Sequence, residues 1–193
     1  MSFAALYDEV SKFVQALKAE GVGPGDRVAA FMPNMPETII ATLATASLGA
    51  VWSSCSPDFG IRGVLDRFGQ IEPTVFVAVE GYYYGGKSFD TLDKIAGILA
   101  ELPTVKKTVI VPYTREEPPI GDIEGAVSYA DFTGAYQAGD ISFTRMGFNE
   151  PLYIMFSSGT TGVPKCIVHG IGGTLIQHLK EHQLHSDVKK DDR

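Results

Sequence analysis

Cysteine is scarce in this chain: Cys55 and Cys166 are the two thiols among 193 residues. They have neither the paired spacing of a zinc site nor the density of a disulfide scaffold, so the expectation is two reduced thiols in a cytoplasmic protein. Positive charge is also in deficit. Sixteen Lys and Arg stand against 23 Asp and Glu, giving a net charge of -7. No Lys/Arg run offsets this balance, which argues against a protein that coats nucleic-acid phosphates. A long apolar run is missing too. The best candidate, residues 39–52, contains Thr and Ser and falls short of the roughly 18 residues that a membrane span needs. After Met1-Ser2-Phe3 there is no basic stretch followed by an apolar core, so no secretory leader is read there. Internal repeats and low-complexity tracts are absent. What remains is 45% hydrophobic and 20% charged, the balance of an ordered globular chain. Its length suits one large domain or most of one.

Helical and strand patterns alternate along the chain. Residues 2–20 carry Phe3, Leu6, Val10, Phe13, Val14 and Leu17 at helical spacing, and Gly21 stops the run. A strand is expected at 27–32, then a helix from Pro36 to about 48, with proline in its first turn. Strands at 50–53, 74–79 and 108–111 alternate with helices at 60–70 and 88–101. Residues 112–125, with two adjacent prolines, read as a surface loop, and 128–137 as a short helix. An apolar strand at 152–156, expected to be buried, and an amphipathic helix at 172–184 complete the pattern. This alternation predicts an α/β fold, a mostly parallel sheet flanked by helices.

One loop carries the strongest chemical signal: Ser157-Ser158-Gly159-Thr160-Thr161-Gly162-Val163-Pro164-Lys165, directly after the apolar strand. Its glycines let the backbone turn sharply and bring N–H groups near a ligand. Four hydroxyls add donors and Lys165 adds a positive charge, so the loop suits a polyphosphate. An acidic protein needs such a local device, because carboxylate–phosphate repulsion grows in a low-dielectric pocket. Related loops fail on the residues. A Walker A loop needs Gly-Lys-Ser/Thr, whereas Lys165 lies between Pro164 and Cys166. The dinucleotide Gly-x-Gly-x-x-Gly is absent, and no Gly-x-Ser-x-Gly elbow marks Ser157 or Ser158 as a nucleophile. The competing interpretation is an ordinary Gly/Ser/Thr surface loop.

The loop resembles the signature of the adenylate-forming superfamily, which holds acyl-CoA synthetases, luciferases and peptide-synthetase adenylation domains. Two further stretches resemble its acetoacetyl-CoA synthetase branch. One is Gly49-Ala50-Val51-Trp52-Ser53-Ser54-Cys55-Ser56-Pro57-Asp58-Phe59-Gly60 followed by Val64-Leu65-Asp66-Arg67-Phe68; the other is Lys165-Cys166-Ile167-Val168-His169 with residues 172–182. Cys55 stands where that branch would carry Thr. The likeness extends over nearly the whole chain and implies part of the large N-terminal AMP-binding domain, with the small C-terminal catalytic domain outside residues 1–193.

The resemblance implies two-step ligation of acetoacetate to coenzyme A at the expense of ATP, with Mg²⁺, through an acyl-adenylate; acetate or another short acid is the alternative substrate. Catalytic roles fall to Lys165, Thr160 and Thr161. Phosphate contacts fall to Ser157, Ser158, Thr160, Thr161 and Lys165, with Gly159 and Gly162 shaping the backbone. His169 sits beside the acyl or nucleotide pocket, or is simply a packed, hydrogen-bonded histidine. Trp52, Ser53 and Ser54, at a strand end, and Lys87, in the Tyr84-Gly85-Gly86-Lys87 turn, approach coenzyme A; the alternatives are core packing for Trp52 and a solvated turn for Lys87. A rival constellation is His178-Leu179-Lys180-Glu181-His182, which fits the inverted zinc-protease pattern His-x-x-Glu-His but lacks a visible third ligand. No metal site is expected. A non-catalytic nucleotide-binding fragment is the remaining reading, and these residues alone are not expected to make acyl-CoA.

Overall fold

The computed structural model describes residues 1–157, 162–190 and 192. The chain opens with helix α1, Phe3–Ala19, whose first turn is capped by Ser2: its Oγ accepts from the Ala5 N–H at 3.2 Å. The following elements are β1 (Arg27–Phe31), α2 (Pro36–Ser47), β2 (Val51–Cys55), α3 (Ile61–Phe68) and β3 (Val75–Val79). A hairpin follows, β4 (Gly81–Tyr84) and β5 (Lys87–Asp90), then α4 (Leu92–Leu99), β6 (Lys107–Val111), β7 (Ala126–Ser128) and α5 (Tyr129–Gly134). The last elements are β8 (Pro151–Phe156), β9 (Cys166–Gly170), α6 (Ile171–Lys180) and a π-helical turn at Glu181–His185. No helix among the described residues is long and apolar enough to cross a membrane.

Seven strands form one sheet in the order β7-β6-β3-β1-β2-β8-β9. All neighbours run parallel except the last pair, β8 and β9. The central strands are apolar at nearly every position, because a parallel sheet covered on both faces has no solvent side. One face places Val28, Ala30, Val77 and Val109 against Phe13, Leu17 and Ile40 of α1 and α2. The other places Phe31, Phe76 and Ile110 against Val64, Phe68, Ile95 and Ile98 of α3 and α4. The helices thus form two layers around a mostly parallel sheet, as the alternating pattern predicted.

Three expectations change. Residues 88–90 do not begin a helix: Tyr82 pairs with Phe89 and Tyr83 with Ser88 across the hairpin, and the two aromatic rings of Tyr82 and Phe89 stack at 5.2 Å. The helix then starts at Leu92, whose N–H donates to Asp90 Oδ1 at 2.8 Å. The apolar strand expected to be buried, β8, is only half-buried, since its outer neighbour β9 is the sheet edge and is itself largely exposed. The last helix keeps α geometry only to Lys180 and then widens into the π turn.

Phe76 is fully buried and packs edge-on to Phe68 with centroids 6.0 Å apart. Phe76→Ala is expected to lower the unfolding free energy by about 3–5 kcal/mol in urea denaturation, because it empties a ring-sized volume that the two aromatic layers cannot refill. A loss below about 1 kcal/mol would show that the layer collapses around the gap.

Candidate nucleotide-binding site

In open α/β sheets, ligands gather beyond the carboxyl ends of parallel strands, where loops and helix starts converge. β8 delivers the Ser/Gly/Thr loop to that edge, one strand away from β2. β9 then returns antiparallel beside β8, with Phe156 opposite Cys166. The hairpin is closed one step further out: the Ser157 N–H donates to the Lys165 carbonyl at 3.0 Å, and the Lys165 N–H donates to Ser157 Oγ at 3.2 Å. Gly162 has φ +88°, a left-handed conformation that side-chain-bearing residues rarely adopt. Lys165 is exposed. Ser158, Thr160 and Thr161, three of the candidate phosphate contacts, lie outside the described residues, as does Gly159.

The far side of the loop rests on the end of α3. The Arg67 guanidinium lies 4.5 Å from the Phe59 ring centroid and 5.9 Å from that of Phe156, the last residue of β8. Two residues beyond the helix, Gln70 donates from Nε2 to the Pro164 carbonyl at 2.8 Å, and its Oε1 accepts from Cys166 Sγ at 3.6 Å. At the other end of β9, Gly172 permits close packing: a Cβ there would lie 2.1 Å from the Phe148 ring. The Gly172 N–H donates to the Phe148 carbonyl at 2.9 Å, so the start of α6 is tied to the segment that enters β8.

The structure distributes the other sequence-derived candidates differently. Trp52 is 4% exposed and belongs to the core cluster of α1 and α2. Ser53 is fully buried, and its Oγ donates to the Ile154 carbonyl at 2.8 Å, tying β2 to β8. Trp52 thus packs in the core and Ser53 braces β2 against β8; Ser54 is half-buried. His169 is half-buried beside Tyr153, with ring centroids 4.8 Å apart. With Thr174, Gln177 and His178 it lines a cavity of about 310 Å³. Lys87 is exposed at the tip of the β4–β5 hairpin, opposite Tyr84, where Gly85 and Gly86 both have positive φ. That hairpin follows β3, and β1 and β2 separate β3 from β8 in the sheet. The zinc alternative does not assemble. Glu181 Oε1 accepts from Gln177 Nε2 at 2.7 Å and pairs with Lys180 at 3.2 Å, and His178 and His182 lie with ring centroids 6.4 Å apart. Among the described residues no group of three or more His, Cys, Asp or Glu side chains is placed to hold a metal ion.

Two contributors were missed in the sequence. Gln70 is one. The other is Glu80, a fully buried carboxylate at the end of β3. It accepts from the Tyr113 and Thr114 N–H groups, each at 2.6 Å, from Thr114 Oγ1 at 2.6 Å and from the Arg115 N–H at 2.8 Å. Arg115 pairs in turn with Asp90 of the hairpin, so one acid organises the whole edge beyond β3 and β6. No local pattern marks either residue, because each acts on a segment remote in the chain.

The geometry describes a class: an α/β domain with a turn at the carboxyl edge of its sheet, closed between Ser157 and Lys165, in a stretch of sequence rich in hydroxyls and glycine. All of the chain, residues 1–193, matches the AMP-binding enzyme family, and the chain belongs to that family. Its relatives narrow the likeness. It is 54% identical over its full length to the acetoacetyl-coenzyme A synthetase of Rhizobium meliloti (strain 1021), covering 30% of that protein. It is 47% identical to the acetoacetyl-CoA synthetase of Mus musculus, covering 29%. The solved acetoacetyl-CoA synthetase from Streptomyces lividans superposes on the whole chain with a TM-score of 0.92 at 43% identity, over 29% of that structure. The chain thus spans about 30% of the length of the curated relatives it matches.

The two thiols differ sharply. Burial pushes Cys55 up to about 12, and the nearby Arg67 guanidinium pulls it only partly back; Cys166 is exposed. A thiol raised from 9.0 to about 12 favours the neutral form in the folded state. Its stabilising contribution is therefore complete below pH 9.0 and is lost as pH climbs toward about 12. Tyr129 acts in the same sense, raised by burial and then by Glu9 and Glu37. Urea midpoints are expected to fall between pH 9.0 and about 12, with a shallower slope in Cys55→Ala. An identical slope in the variant would contradict the assignment.

Proposed function

We propose that the protein carrying this chain ligates acetoacetate to coenzyme A at the expense of ATP. The single observation that carries this reading is the β8–β9 turn, closed by Ser157 and Lys165 at the carboxyl edge of the sheet, in a chain of the AMP-binding enzyme family. The names of the relatives support the acetoacetate branch.

A carboxylate is a poor acyl donor, because its leaving group would be oxide. Ligation proceeds in two displacements. An acetoacetate carboxylate oxygen attacks the α-phosphorus of ATP; the bond to the bridging oxygen breaks and pyrophosphate leaves, giving acetoacetyl-AMP. The thiol sulfur of coenzyme A then attacks the acyl carbonyl carbon, the bond to AMP breaks, and the thiol proton is released. Magnesium enters with the nucleotide as ATP·Mg. The chain's own contribution is placement and charge: hydroxyls of Ser157, Ser158, Thr160 and Thr161 donate to β- and γ-phosphate oxygens, Gly159 and Gly162 allow the backbone to follow them, and Lys165 stabilises the negative charge that grows on departing pyrophosphate. Thr160, Thr161 and Lys165 carry the catalytic roles. His169, with its cavity, borders the acyl or nucleotide side, and Ser54 and Lys87 approach coenzyme A, Lys87 through a phosphate of its nucleotide end. These 193 residues form part of the N-terminal AMP-binding domain, and a cytoplasmic location fits the exposed Cys166 thiol.

Pyrophosphate exchange by the full-length protein tests the reading. Acetoacetate is expected to support faster exchange than acetate or propionate, and Lys165→Ala to slow it about 10²–10³-fold, the scale of losing one preorganised charge-stabilising donor. Equal rates with the three acids would remove the acetoacetate assignment. Normal exchange by the lysine variant would remove its phosphate role.

A further inference from the structure

Lys165 is the exposed cation of the loop, yet the backbone around it is held on both sides. Its own N–H and carbonyl are both engaged by Ser157. Its two neighbours in the chain, Pro164 and Cys166, are both engaged by one side chain, Gln70. We propose that Gln70 is a positioning residue for the phosphate loop: it holds the Pro164 carbonyl and the Cys166 thiol on either side of Lys165 and so sets where the lysine points. The inference rests on the nucleotide-binding reading above.

The amide of Gln70 is used in full. Nε2 donates to the Asp66 carbonyl at 2.6 Å and to the Pro164 carbonyl at 2.8 Å, while Oε1 accepts from the Cys166 thiol at 3.6 Å. The first bond locks the side chain onto α3, and the other two transfer that rigidity to the loop. α3 is itself anchored, by Val64 and Phe68 in the core and by Arg67 between the Phe59 and Phe156 rings. Gln70 sits where it does because the chain turns just after the helix: the Gln70 N–H donates to the Arg67 carbonyl at 3.1 Å. The preceding residue is glycine, and a Cβ there would lie 2.7 Å from the Leu65 carbonyl oxygen. Pro164 has a fixed φ and no N–H, so its carbonyl is the one backbone group through which a neighbour can hold it. The arrangement is a clasp from α3, opposite the Ser157 clasp from β8, with Lys165 between them.

Gln70→Ala removes the clasp. Gln70→Glu keeps the side-chain length and an acceptor for the thiol, but places a carboxylate oxygen against two carbonyls. Both variants are to be made in the full-length protein. The expected result is an ATP KM in pyrophosphate exchange raised about 5- to 10-fold, the effect of one or two lost hydrogen bonds, with the coenzyme A KM of the thioester-forming step unchanged. Iodoacetamide labelling of Cys166, read by peptide mapping without nucleotide, is expected to be faster in Gln70→Ala. An ATP KM within about twofold of wild type in both variants overturns the proposal. So does a parallel rise of the ATP and coenzyme A KM values, which would mark general damage. If wild type shows no exchange at all, the functional reading falls, and the labelling rate then decides the clasp alone: unchanged labelling overturns it, faster labelling upholds it.

Discussion

The closing of the β8–β9 turn by Ser157 and Lys165 is the contact on which the candidate site depends. A glycine-rich segment between two strands has large conformational entropy, and without closure it would present its donors in no fixed array. Pairing residues 157 and 165 holds together the two ends of the seven-residue segment between them. A polyphosphate bound here, as proposed, would meet donors whose ordering cost is already partly met, which is the physical content of preorganisation.

The rest of the fold supplies the platform. Strands β1, β2 and β3 run parallel and buried, so their carboxyl ends form one rigid edge. Ser53 ties β2 to β8 at the depth of the core, and α3, on that same face of the sheet, reaches the β8–β9 turn through Arg67 and Gln70. Further along the edge, Glu80 gathers the turn after β6 and, through Arg115 and Asp90, the β4–β5 hairpin. The acidic balance of the molecule does not conflict with the proposed phosphate role, because the cation it invokes is local: Lys165 stands within the loop itself.

Much of this was legible in the residues. The apolar stripe of α1, the buried strands β1 and β3 and the loop after residue 156 follow from periodicity and from glycine and proline positions. The hairpin at 81–90 was not, because Ser88, Phe89 and Asp90 have no strict alternation and their pairing partners, Tyr83, Tyr82 and Gly81, suit several structures. Trp52 carried two readings, and the structure buries it at 4% exposure, because helices cover both faces of the sheet around β2. Gln70 and Glu80 were invisible for another reason. Gln70 meets Pro164 across 94 positions and Glu80 meets Thr114 across 34, distances over which sequence pattern carries no signal.

Amide hydrogen exchange on the full-length protein, with and without ATP·Mg, tests the central claim most directly. The account predicts that the peptide spanning residues 157–165 gains protection when nucleotide is added, while the core strands β1 and β3 stay as protected as before. Saturating nucleotide that leaves this peptide exchanging at its free rate would contradict the account, since the phosphates would then be held elsewhere.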